Sequence, residues 1–262
     1  MFNKDIHEDI YNPKYILSLK ELLIYEKSNG IRNGLYDMTQ TMSSYHSNRI
    51  EGSPLSYDDT WELYDKGIVP TGNTKAQDIT DAQGHFIMFD KMLETINQPI
   101  DKNLVCTYHG SLKAGSFLDR KRNFAIGEYK RLNNSIGGMI QTTAVEDVEQ
   151  EMSDFFARYN DIAKIGHNLN TIAKSHATFE RIHPFQDGNG RVGRMLLFRQ
   201  CLDAGIVPAL ITDNLSQDYK NALKKYSIGQ SDITDLVKVF QEAAQNYYNL
   251  SNRYVFEYEK RV

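Results

Sequence analysis

The sequence predicts an all-α fold carrying one small β-hairpin. Apolar residues recur at spacings of three and four along most of its 262 residues, helix start and stop signals bracket those stripes, and the periodicity fails only between Asp119 and Gly138. The hydrophobic fraction of 40% and the charged fraction of 24% are those of an ordinary globular protein.

Ile16, Leu19, Leu22 and Leu23 open the pattern, which stops at Gly30. Leu35, Met38, Met42, Tyr45 and Arg49 define a second helix that ends near Gly52 and Pro54. Ser56 is placed to cap a short helix through Trp61, with Asp59 as the capping-box acid. The stretch Pro70–Lys75 is the best linker candidate, and two stripes follow it: Ile79, Ala82, Phe86, Phe89, Leu93 and Ile96, then Leu104, Val105, Tyr108 and Leu112 up to Gly115. In RNFAIGEYKRLNNSIGG, two short segments flank the polar turn Leu132–Asn134 and read as the hairpin.

Helical spacing resumes with Val145, Val148, Met152, Phe155 and Tyr159, then with Ile162, Ile165, Leu169, Ile172, His176 and Phe179, running into His183. Pro184 biases His183 away from right-handed helical angles, so a tight turn should follow it. Val192, Met195, Leu196, Phe198 and Leu202 mark the next helix, Tyr219, Leu223 and Tyr226 another that ends at Gly229, and Leu236, Phe240, Ala244 and Tyr247 the last.

A net charge of -4 and a pI near 6.0 argue against a nucleic-acid partner, which calls for basic excess. Cys106 and Cys201 lie outside any CxxC spacing, so neither a disulfide framework nor a thiolate zinc site is expected. The first residues, MFNKDIHEDIYNPK, lack the basic start and apolar stretch of a signal peptide, and no run approaches the roughly 18 apolar residues of a membrane span. The expectation is a cytoplasmic protein without a membrane partner.

Chemistry concentrates in His183-Pro184-Phe185-Gln186-Asp187-Gly188-Asn189-Gly190-Arg191-Val192-Gly193-Arg194. Glycines at a helix start let a phosphate approach backbone N–H groups, and Asn189 could donate to the same oxygens. Arg191 and Arg194, three apart in the first turn, oppose the helix dipole, which an anionic ligand would explain. Asp187 could hold Mg²⁺ with phosphates and water completing the shell. His183 has the type and position of a general base. Taken singly, such a histidine is more often a cap and such arginines more often a solvated face. Gly188 to Gly193 also matches GxGxxG, but the helical period upstream denies it the strand that a dinucleotide site requires.

The twelve residues match in full the HPFxDGNGRxxR signature of Fic proteins, and AKSHATFERI before them and MLLFRQCLDAGIVPALI after them resemble the flanking helices. The resemblance covers roughly Phe86 to Ile211. It implies a Fic-type helical bundle with residues 1–75 as N-terminal helices, 76–211 as the Fic core and 212–262 as C-terminal helices. It further implies transfer of AMP from ATP to a Ser, Thr or Tyr hydroxyl of a protein target, this chain possibly included. His183 would be the base, Asp187 the Mg²⁺ (or Mn²⁺) ligand, Gly188, Asn189 and Gly190 the cradle of the transferred phosphate, and Arg191 and Arg194 the outer-phosphate ligands. Gly127-Glu128-Tyr129-Lys130 resembles the flap that pins the target by strand addition. Lys130 stands where many members have Arg.

Ser47-Asn48-Arg49-Ile50-Glu51-Gly52 resembles the [S/T]xxxE[G/N] inhibitory helix of self-restrained Fic enzymes. Ser47 and Glu51 would then restrain the site by Glu51 pairing with Arg194 in place of a γ-phosphate. Two other functions share these residues: an AMP-removing hydrolase in which Glu51 aligns water, and a non-catalytic nucleotide-sensing module. His46, His85, His109, His167 and His176 show no metal-ligand spacing and are expected to be structural or surface residues.

Overall fold

The computed structural model describes residues 9–72, 74–138, 140–227 and 232–261. Among them are eleven α-helices and one two-stranded antiparallel sheet. In chain order the elements are α1 (Pro13–Asn29), α2 (Leu35–Ile50), α3 (Tyr57–Lys66), α4 (Ala76–Glu94), α5 (Lys102–Lys113), α6 (Phe117–Lys121), β1 (Ser135–Ile136), β2 (Ile140–Gln141), α7 (Val145–Ala163), α8 (Leu169–Ile182), α9 (Asn189–Asp203), α10 (Ser216–Lys225) and α11 (Thr234–Glu259). No helix among the described residues is long and apolar enough to cross a membrane.

Local chemistry fixes the helix ends. Asn12 accepts the Tyr15 N–H ahead of Pro13 at the first turn of α1, and Gly30 closes that helix at φ 61°. Ser56 and Asp59 form the expected capping box, although α3 continues past Trp61 to Lys66, where Gly67 stops it. Asn168 caps α8 through the Thr171 N–H.

The centre of the bundle is α9. Val192, Met195, Leu196, Leu197, Phe198, Cys201 and Leu202 are all buried, so this helix is surrounded rather than laid on a surface. Each buried aliphatic or Phe side chain contributes about 1.5–3 kcal/mol of transfer free energy, which anchors the first turn of α9 against α2, α4, α5 and α8. Gly84 lets α4 and α5 close: a Cβ there would strike the Leu112 carbonyl. That contact sets the height of Lys113, at the end of α5, beneath the loop preceding α9.

Two expectations change, one helix was not foreseen, and one expected stop falls outside the described residues. The hairpin turns at Gly137 and Gly138, with φ 58° and 73°, rather than at Leu132–Asn134; consecutive positive φ values suit a glycine pair and tax a residue such as Leu. Ile165 does not continue the α7 or α8 stripe but is 87% exposed, because Gly166 at φ 98° and the Asn168 cap separate the two helices. Helix α6, capped by Ser116, was masked in the sequence by its five-residue length. The helix containing Tyr219 runs to Lys225; the stop expected at Gly229 lies outside the described residues.

Candidate active site

His183 caps the C-terminus of α8, just past Ile182, and donates its N–H to the Phe179 carbonyl at 3.0 Å. It leaves the right-handed helix, as Pro184 requires, but into the left-handed region (φ 54°, ψ 59°) rather than the extended one. This conformation costs a non-glycine residue about 1 kcal/mol or more, and it is held by the packing of Phe185. That ring is fully buried and stacks on His109 at 4.0 Å and 9°. The His183 Nδ1 faces the Glu180 carbonyl at 3.2 Å. With the proton on Nδ1, Nε2 carries the lone pair, the form a general base needs. Burial lowers the His183 pKa, against the Glu180 carbonyl and with help from the Lys130 charge, so the neutral ring dominates at pH 7.

Gly188 begins α9 at φ 81°, and a Cβ there would press on Leu112 and on the Lys113 stem. The Asn189 side chain is not directed at a phosphate, as its expected role requires. Its oxygen accepts the Phe185 N–H and its NH₂ donates to the Phe185 carbonyl, both at 2.8 Å. A primary amide matches a peptide group edge to edge, so the residue staples the loop and offers only its backbone N–H to a ligand. Gly190 lies beneath Glu51: a Cβ at Gly190 would collide with Oε1 of that carboxylate.

The two arginines have different surroundings. Arg194, 8% exposed, donates from Nε to Ser47 Oγ at 3.0 Å, and from Nη2 to the Ser47 carbonyl at 3.0 Å and to Glu51 Oε1 at 2.6 Å. α2 thus delivers Ser47 and Glu51 together onto the first turn of α9. Burial opposes ionisation of Glu51, but Arg194 and then Arg191 outweigh it and hold the pKa below the ordinary carboxylate value. Arg191 instead pairs with Asp81 of α4 at 2.6 Å, with Asn48 at 3.3 Å and with Asp187 at 3.5 Å.

Asp187 is half exposed, and its Oδ2 accepts from Lys113 Nζ at 2.5 Å. Burial alone would raise its pKa, but the Lys113 and Arg191 charges bring it down to about 2, so the carboxylate is fully ionised at neutral pH. No group of three His, Cys, Asp or Glu residues is arranged to hold a metal among the described residues. The half-exposed Asp187 carboxylate offers one hard oxygen donor, which suits a cation that would take its other ligands from phosphate and water.

The segment expected to form the flap, 127–130, is anchored by inward contacts. Gly127 donates its N–H to His109 Nδ1 at 3.0 Å, which leaves the proton of that imidazole on Nε2, 3.1 Å from the Asp187 carbonyl. Tyr129 tilts against Phe185. Lys130 N–H donates to the Pro184 carbonyl at 2.7 Å, and its buried Nζ reaches Asn134 and Thr142 at 2.8 and 2.7 Å. Burial lowers the Lys130 pKa to about 8. Glu128 stays exposed, paired with Arg131.

The sequence did not single out Lys113, Asp81 or Asp119, nor His109 as part of the site. Their one linear trace is His109 and Lys113, four apart on α5; the rest comes from separate elements. Glu180 is a further case. It is buried beside Gly193 and His176, and burial, against Arg194, raises its pKa to about 7.

Residues 99–201 match the Fic/DOC family model. Over that segment the chain resembles Fic-domain proteins. It is 24% identical over 229 residues to "Protein adenylyltransferase Fic" of Drosophila persimilis, covering 87% of this chain and 43% of that protein. It is 27% identical over 192 residues to the protein of the same name in Nematostella vectensis, covering 71% and 43%. The chain thus matches less than half the length of these relatives. Among solved structures, a Fic-domain-containing signaling protein from Bacteroides thetaiotaomicron superimposes with a TM-score of 0.74 at 20% identity, covering 92% of this chain and 97% of the other. Fic-1 from C. elegans superimposes at 0.69 and 18% identity, covering 95% and 74%. These likenesses support the Fic fold, an all-helical bundle with a small hairpin.

Proposed function

We propose that this Fic domain, with residues 76–211 as its core, transfers AMP from ATP to a hydroxyl of a protein. The observation that carries this reading is the His183 ring. Its Nδ1 faces a carbonyl, Nε2 is left as the acceptor, and the short loop Pro184 to Asp187 joins it to a helix start that carries Gly188, Gly190 and Arg194. His183 Nε2 takes the proton of the incoming Ser, Thr or Tyr hydroxyl, the oxygen bonds to the α-phosphorus, and the bond to the β-phosphate oxygen breaks to release pyrophosphate. The N–H groups opening α9 hold the transferred phosphate, and Arg194 binds the outer phosphates. Mg²⁺ or Mn²⁺ at Asp187 would neutralise charge on the phosphates. The curated relatives' name, protein adenylyltransferase, supports the choice of AMP.

In this reading Ser47 and Glu51 restrain the enzyme. The Glu51–Arg194 contact at 2.6 Å occupies the guanidinium that a γ-phosphate needs, and ATP that binds regardless does so with its α-phosphorus misaligned. One feature favours a second activity, removal of AMP by water: the Glu51 side chain is 42% exposed even while paired, so it could also orient a water. The test is to incubate Glu51→Gly protein with labelled ATP, UTP and GTP and a cytosolic extract, then find the labelled residues by mass spectrometry. Label from ATP on hydroxyl side chains is the expected result. No label from any nucleotide, with ATP binding unaffected by His183→Ala, would instead indicate a nucleotide-sensing module.

A further inference from the structure

Lys113 ends α5 with its side chain only 1% exposed, and three carboxylates from three other segments converge on its ammonium. Asp187 Oδ2 lies at 2.5 Å, Asp119 Oδ2 at 3.0 Å and Asp81 Oδ1 at 3.6 Å. Asp81 also holds Arg191 at 2.6 Å. The five groups carry three negative charges and two positive ones, so the cluster is one positive charge short of balance. Asp119 is 4% exposed, yet its Oδ2 makes no well-directed hydrogen bond, so this buried acceptor lacks a full partner.

An ammonium has three N–H donors. Only one of them is needed to hold Asp187, and the other two acceptors lie deeper, on side chains 6% and 16% exposed, against 52% for Asp187. Lys113 therefore has acceptors to fall back on that no dissolved ligand reaches easily. We propose that Lys113 is the resident cation of Asp187, which a divalent metal displaces onto Asp119 and Asp81, so that these residues set the metal concentration at which the site fills. Lys113 acts through Asp187 and is a positioning residue. The inference rests on the reading of Asp187 as metal ligand.

The geometry gives two substitutions effects of opposite sign. Lys113→Met removes the competitor and should tighten Mn²⁺ binding about tenfold, equivalent to about 1.4 kcal/mol. Asp119→Asn weakens the place to which Lys113 withdraws, leaves it more firmly on Asp187, and should weaken Mn²⁺ binding severalfold. A role confined to stability would lower the melting temperature of both variants without moving metal affinity in opposite directions. Binding is read by electron paramagnetic resonance titration of Mn²⁺ into the full chain with a non-hydrolysable ATP analogue, corrected for Mn²⁺ on the free analogue, with Asp187→Asn as control. If Asp187→Asn leaves Mn²⁺ binding intact, the ligand assignment falls and the inference with it. If Asp187→Asn loses binding while the other two variants shift it in the same direction or not at all, the ligand stands and the displacement is overturned. Should Lys113→Met fail to fold, Asp119→Asn decides alone, an unchanged or tighter affinity counting against the proposal.

Discussion

The two arginines that open α9 sit one helical turn apart and meet opposite kinds of partner. Arg194 faces Glu51, a carboxylate at the end of α2 that remains 42% exposed. Arg191 faces Asp81, 16% exposed, at 2.6 Å, and reaches the half-exposed Asp187 only at 3.5 Å. An ion pair with one exposed member is exchangeable, because an incoming anion can replace it without stranding a buried charge. The Arg191–Asp81 pair resists exchange, since removing either member leaves the other buried and uncompensated. Under the proposed restraint, the open pair at Arg194 is the one that regulates and the buried Arg191–Asp81 pair the one that keeps the architecture, although both arginines belong to one motif.

The largest effect expected lies outside both clusters. His183→Ala should lower transfer by about 10²–10⁴-fold, the usual share of general-base catalysis, while ATP affinity, measured by calorimetry, stays within about twofold because the phosphate groups are untouched. Retained transfer would remove His183 from the role of base. Next, Asp81→Ala should destabilise the fold by about 3 kcal/mol in urea unfolding, the cost of breaking a largely buried pair, whereas Glu51→Ala should change stability by less than about 1 kcal/mol. Similar losses in the two variants would erase the contrast between open and closed pairs.

Glu51→Gly should raise transfer and self-modification at least about tenfold, which requires only about 1.4 kcal/mol, and Arg194→Ala in the same chain should cancel the gain. A gain that survives the second substitution would point to general loosening of α2. The smallest effect concerns pH. Burial lowers the His183 pKa, so the base is already neutral at pH 7 and transfer by Glu51→Gly should be nearly flat above it. The rate should fall only as pH drops through a midpoint below the ordinary imidazole value of about 6.5. An acid limb centred above that value would contradict the burial of the ring.

Much of this was legible in the chain. Amphipathic spacing marks nine of the eleven described helices and the Ser56 capping box marks a tenth, α3, because stripes and caps are local patterns; only the five-residue α6 is missed. The residues from His183 to Arg194 are contiguous, and Glu51 lies at the end of its own stripe, so both were visible before α2 was known to meet α9. What was hidden depends on meetings between segments. Lys113, Asp81 and Asp119 are unremarkable helix residues until Gly84 lets α4 and α5 close. The Asn189 amide reads as a phosphate donor until the left-handed turn at His183 brings the Phe185 peptide opposite it. The hairpin turn was misplaced because polar residues at Leu132–Asn134 outweighed the two glycines beyond them, although positive φ is the stricter requirement.

The flap carries a consequence for how such a protein can diversify. Gly127, Tyr129 and Lys130 are committed inward, to His109, to Phe185, and to Pro184, Asn134 and Thr142 respectively. Glu128 and Arg131 face solvent and hold only each other, and Leu132 is 60% exposed. Inward positions are chained to the chemistry and outward ones are not. If this segment docks the target as proposed, clientele would drift by substitution at Glu128, Arg131 and Leu132 while the inward contacts stay fixed, and a library randomised at those three positions is the natural starting point for retargeting.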